Sequence, residues 1–286
     1  MNSTLKLWTQ LGLGTALAGG LLAACGGEAG GEGASGEAGA ATSAASAGEG
    51  EGGSGPGEGA AAAAAGGEGE GGVAVADAAK DPVAYGIALA VAEAHVVAAR
   101  DAYAAGQKQA AGEMFAHPVS EVLLDMEPVF TKLGVKDMGP LFMAASDAAL
   151  AGKPVAEVNK AYDAIIAALR AAAAKAPKGD ASAAKVQAGV IADMIERSSA
   201  MYRQLPKNAA YEPYLDGYGF ARVAASTFAA SGAAIKAENP ALHASITEAL
   251  ALLAKAYPGA ARPAKLPAEP GALSGASAKV MLASGG

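Results

Sequence analysis

The chain has 286 residues, a formal net charge of −7 and a mean hydropathy of +0.25, with 52% hydrophobic but only 5% aromatic residues. Its single cysteine, Cys25, excludes disulfides and thiolate zinc centres, so stability must come from packing. No Lys or Arg falls between Lys6 and Lys80, and nothing in the acidic balance forms a basic patch for nucleic acid.

Residues 1–24 read as a secretory signal, with a charge at Lys6, an apolar run and a small-residue exit. The uninterrupted apolar part is shorter than the roughly 20 residues a spanning helix needs. The exit Leu22-Ala23-Ala24-Cys25 resembles the lipobox of bacterial lipoproteins. That resemblance implies cleavage before Cys25, its acylation by palmitate-type chains, and attachment to the membrane through them. The alternative, an ordinary thiol beyond a cut made elsewhere, leaves the cysteine's position at the exit unexplained. Gly26 follows the cysteine, where an Asp is the inner-membrane retention signal in well-known sorting systems, so the expected location is the outer membrane facing the periplasm.

Residues 25–75 are low-complexity, almost entirely Gly, Ala, Glu and Ser with no aromatic residue, and cannot bury enough apolar surface to fold. They are expected to form a disordered tether, whose ends would lie roughly 40 Å apart on average. Residues 76–286 are expected to be one all-α domain, an antiparallel bundle of about seven to eight helices. Asp81-Pro82 caps and starts the first long helix, and Gly106 stops it. A second, from Gln107, meets His117-Pro118, where proline must kink or restart it, the restart running to Gly134. A short helix follows Asp137 and ends near Gly152. Val158, Tyr162, Ile165 and Leu169 form the stripe of the next. Asp180 is expected to cap another, a further helix runs from about Tyr211 to Lys236, and Asn239-Pro240 opens one more. Four prolines between 258 and 271 predict an extended strap, and a last helix is expected over 273–283.

Two polar constellations stand out. Glu113, His117, Glu121 and Asp125 recur every four residues, which on an unbroken helix aligns them along one face, with His95 on the preceding helix. Imidazole and carboxylate together suit a divalent or ferric ion, and His117, Glu121, Glu113 and His95 are the candidate ligands. The competing and favoured reading is that Pro118 destroys the register and His117 caps the restarted helix. In the second constellation, Tyr211, Tyr214, Tyr218 and Phe220 lie within ten positions of an aromatic-poor chain. They either wall a ligand or, more in keeping with helical spacing, fill the core. His243, between Leu242 and Ile246, reads as a partly buried structural residue. No phosphate loop, HExxH or nucleophile elbow is found, so the chain is not expected to be an enzyme.

The His95 helix, the segment Ala116-His117-Pro118-Val119-Ser120-Glu121 and the segment Tyr214 to Phe220 are together similar to secreted helical domains of the imelysin-like, iron-transport-associated kind. Those proteins carry Gly-x-His-x-x-Glu; here His117 and Glu121 are separated by one residue more, and the glycine is absent. The resemblance implies a non-enzymatic periplasmic binding or scaffold module, linked to metal uptake and an envelope transport partner. The alternative is a carrier of an apolar molecule or lipid, lodged near the tyrosines, Met143, Met194 and Met201.

Overall fold

The computed structural model describes residues 72–285. The expected signal, Cys25 and nearly all of the tether lie outside them. The described residues form helices and no strand: α1 Val75–Ala78, α2 Pro82–Ala104, α3 Lys108–Pro118, α4 Leu124–Lys132, α5 Gly139–Leu150, α6 Val155–Ala173, α7 Ala183–Gln204, α8 Glu212–Glu238, α9 Pro240–Ala256 and α10 Pro270–Ser284. The all-α bundle read from the sequence is the architecture observed.

α2 is the axis of this arrangement. It is long and apolar enough to cross a membrane, yet most of it is buried against other helices, as expected of a central core helix. It packs on α3 and α6 and also on α7 and α8, so two groups of helices share it. Its start follows from local chemistry: Asp81 Oδ1 accepts a hydrogen bond of 2.8 Å from the Val83 N–H, and Pro82 opens the first turn. Gly106, Gly134 and Gly152 all take positive φ where helices end.

Four local expectations need correction. Ser182, not Asp180, caps α7, its Oγ accepting from the Lys185 N–H while its hydroxyl donates to Glu238. The last helix begins earlier, at Pro270, because proline at the first position has the right φ and no donor to lose. Packing also starts before residue 76: Val73 lies against the core, and Arg197 donates to the Gly72 carbonyl.

The fourth correction concerns Pro118. The helix does not stop there. α3 and α4 form one rod, joined by a π turn over Val119–Leu123 in which the Leu124 N–H bonds the Val119 carbonyl five residues back. Proline lacks an N–H and crowds the carbonyl four residues before it, yet the helix carries on through Pro118 and widens only in the turn that follows. Counting this rod as one, the long helices among the described residues number eight, within the seven to eight expected from the sequence.

The proline-rich strap after α9 is held by tyrosines. The hydroxyls of Tyr202, Tyr211 and Tyr214 donate to the carbonyls of Ala268, Ala260 and Gly259, and Arg262 reaches back to the Leu205 and Ala210 carbonyls. On the other side of α2, Arg170 of α6 makes a bidentate pair with the nearly buried Glu93, both contacts 2.5 Å.

α8 lies against α2 closely enough to exclude a side chain at Gly219, where an added Cβ would sit 2.3 Å from the Ala94 carbonyl oxygen. At Gly217 it would sit 1.9 Å from the Tyr257 hydroxyl. Gly219→Ala is therefore expected to lower stability by about 1–3 kcal/mol, the usual cost of overpacking. Chemical denaturation of the two chains checks this; equal midpoints and slopes would contradict it.

Candidate functional site

His95 sits in the middle of α2 and is 1% exposed. Its Nδ1 lies 2.8 Å from the Val91 carbonyl of the preceding turn, so Nδ1 carries a proton and donates it. Nε2 therefore faces the other way, toward a gap between the rod and α8. There it meets Glu121 Oε2 at 3.3 Å and Asp216 Oδ1 at 3.6 Å. Asp216 is also 1% exposed, whereas Glu121 keeps 30% of its side chain in solvent.

His117 ends α3 at the rim of the same gap. Its ring stands edge-on to that of His95, with centroids 6.0 Å apart, and its Nε2 is 3.5 Å from Glu212 Oε1. Glu212 and Asp216 are four residues apart and so share a face of α8. One donor atom from each of His95, His117 and Asp216 lies within 4.8 Å of the others. The floor is Phe220, edge-on to His95 at 6.0 Å, with the Arg197 guanidinium on the ring.

Each side chain reaches this gap for a local reason. His95 is held by its bond to Val91. Glu121 is carried inward by the π turn. Asp216 arrives because Gly219, one turn along α8, lets the two helix backbones approach. Glu121 Oε2 is buried with no hydrogen-bond donor aligned on it, an arrangement that costs stability unless a positive charge faces it.

The charges adjust to one another. Burial opposes a charge on His95, but the contact with Glu121 and the charges of Asp216 and Glu121 outweigh it, and its pKa is raised. The contact with His95 lowers the pKa of Glu121 against the opposing effect of burial. Without a bound cation, a proton on His95 thus supplies the positive charge the carboxylates require.

Of the ligands expected from the sequence, His95, His117 and Glu121 meet in this gap. Glu113 does not: it is exposed on α3 and accepts a hydrogen bond from Gln109. The expected helix-capping role of His117 has no counterpart, since the rod is continuous and His117 faces Glu212 instead. Asp216 and Glu212 were not among the candidates. The signal for Asp216 was present: a carboxylate inside Tyr214-Leu215-Asp216-Gly217-Tyr218, a string otherwise composed for burial.

Tyr211, Tyr214, Tyr218 and Phe220 do not line one wall. Tyr211 and Tyr214 stack at 6.4 Å beside the strap, Tyr218 donates to Asp101 on α2, and Phe220 underlies His95. His243 is partly buried against Phe228. The chain was compared with protein-family models, curated proteins and solved structures, and matches none of them.

The two pKa shifts fix how metal-free stability depends on pH. His95, raised in the folded state, contributes fully below its ordinary value of 6.5 and loses that contribution as pH rises through its higher folded value. Glu121, lowered, contributes above its ordinary value of 4.5 and loses it as pH falls toward its lower folded value. Melting of the chain in chelator should therefore weaken as pH rises above 6.5, and His95→Gln should flatten that limb. An alkaline limb of equal slope in the variant would contradict the assignment.

Proposed function

We infer that this chain is a membrane-anchored, non-enzymatic binding module of the cell envelope, and that the gap between α2, the rod and α8 holds a transition-metal ion. The observation that carries the reading is the convergence of His95, His117 and Asp216 donor atoms within 4.8 Å, from three segments distant in sequence. An ion about 2.0–2.2 Å from imidazole and carboxylate donors needs only a small inward movement of each side chain. Glu121 and Glu212 are placed to complete its coordination.

The donor set speaks to the class of ion. Two imidazoles favour zinc, copper or iron over calcium and magnesium, which prefer oxygen alone. The Val91 carbonyl, by holding a proton on Nδ1, fixes the tautomer in which Nε2 is free to ligate. Iron, zinc and copper are therefore the ions to test. The lipobox at Leu22–Cys25 supports attachment through acyl chains, and the low-complexity tether would hold the domain off the bilayer.

Elemental analysis of the full chain, extracted and purified without chelator, should find iron, zinc or copper near one equivalent. His95→Ala should lower affinity at least about tenfold, the lower end of what a change beside a ligand costs. Metal content below a tenth of an equivalent in the unaltered chain, before and after incubation with Fe²⁺ or Zn²⁺, would sink this reading. Separately, Cys25→Ala should release the protein from the membrane fraction; retention with undiminished fatty-acid labelling would show that the anchor lies elsewhere.

A further inference from the structure

The π turn at Val119–Leu123 gathers several unfavourable features into one turn. A proline stands inside a helical rod. The hydrogen bonding is that of a widened turn, which is rare and less stable than α geometry. Leu124, the next residue, is 69% exposed, although Val122, Leu123 and Met126 around it are buried. The Glu121 carboxylate is turned into a partly apolar gap, where the His95 imidazole is the group that faces its Oε2. An uninterrupted α-helix would keep Pro118 but would avoid the widened hydrogen bonding, and it would not wind an extra residue into the rod.

The flanks explain why the turn cannot simply tighten. Phe115 on α3 and Met126 and Phe130 on α4 are buried in the core, so both ends of the rod are fixed in azimuth. A residue added between fixed ends has to be absorbed locally, and a π turn does this. Within such a turn each residue lags its α-helical azimuth, so Glu121 comes round toward His95 while its neighbours on the rod keep their places. His117 and Glu121 would share a face on an unbroken α-helix as well; the lag of the turn sets Glu121 more squarely over His117, and both face the same gap.

We propose that the extra residue wound in after Pro118 is the positioning device of the site: it turns Glu121 onto the ion, and ion binding in turn holds the π turn in place. This rests on the metal reading above. Neither Pro118 nor Ser120 touches the ion in this scheme. They act through Glu121, and the stability the turn forgoes in the free chain is recovered on binding.

Deleting Ser120, which is exposed and leaves every core side chain present, removes the extra residue. The full chain with this deletion should melt, in chelator, at or above the temperature of the unaltered chain. Its affinity for Zn²⁺ or Fe²⁺, measured by competition with a chromogenic chelator, should fall at least about tenfold. A purely structural role for the turn predicts the reverse pattern, a lower melting temperature with affinity retained. Unchanged affinity in the deletion variant would overturn the proposal and leave the metal reading standing; no binding by the unaltered chain would remove both.

Should the deletion variant fail to fold, the unaltered chain supplies the test. Hydrogen exchange of the amides from 119 to 124 should slow on adding Zn²⁺ or Fe²⁺, more than in α5 or α9. Exchange there that is indifferent to a bound ion would equally overturn the proposal.

Discussion

The approach of α8 to α2 governs what the rest of this molecule can do. Helix backbones come this close only where side chains are absent, and here Gly219 meets the Ala94 carbonyl without an intervening Cβ. The contact places Asp216, three residues before Gly219, against His95, one residue after Ala94. It also puts Phe220 under the imidazole and Tyr218 within reach of Asp101. A chain so rich in alanine buries little area per residue, so close contact between thin helices is its main route to a dense core. The same economy brings polar groups on facing helices within bonding distance of one another.

Burial on this scale makes the His95 cluster expensive, and the fold answers the cost in a particular way. Carboxylates withdrawn from water need a positive partner, and the bundle supplies a histidine whose orientation is fixed by its own helix. Elsewhere the pairing is with arginine: Glu93 takes Arg170 in a bidentate contact, and Asp101 takes Arg100. Arginine keeps its charge at every physiological pH, so the Glu93–Arg170 pair is a fixed tie between α2 and α6, while Arg100 and Asp101 pair within α2. Histidine exchanges its proton near neutrality, and a metal ion can replace that proton on Nε2. The choice of residue separates the parts of α2 that hold the bundle from the part that can exchange what it binds.

The sequence made the helices legible because their punctuation is local. Asp81-Pro82, Gly106, Gly152 and Asn239-Pro240 act within a few residues of themselves, and the helices begin and end there. His95, His117 and Glu121 could be chosen as candidates, but not their meeting, because the path of the chain at Pro118 depends on tertiary packing. Proline alone argues for a break; Phe115, Met126 and Phe130, anchored in the core on either side, keep the rod whole and force the widened turn. Asp216 escaped for a related reason. Its string of tyrosines was weighed as rings, while the carboxylate in the middle carried the chemistry. The rings themselves went largely to the strap, where hydroxyl-to-carbonyl bonds secure a segment that has no helix of its own.

The residues around His95 come from positions near 95, near 120 and near 214, so the cluster joins parts of the chain separated by up to about 120 residues. Past Cys25 the chain has no cysteine with which to make such a join covalently. A cross-link between distant segments stabilises the folded state chiefly by restricting the unfolded one, and the effect grows slowly with the length of chain enclosed. An ion held by α2, the rod and α8 would act in this way, reversibly, since whatever binds only the folded chain stabilises it in proportion to its saturation. It would also strengthen the tie between α3 and α8, which in the metal-free chain meet at His117 and Glu212 beside α2. On the reading proposed here, occupancy of the gap and the mutual rigidity of the two helix groups are therefore a single equilibrium, and a partner that senses the second would be informed of the first.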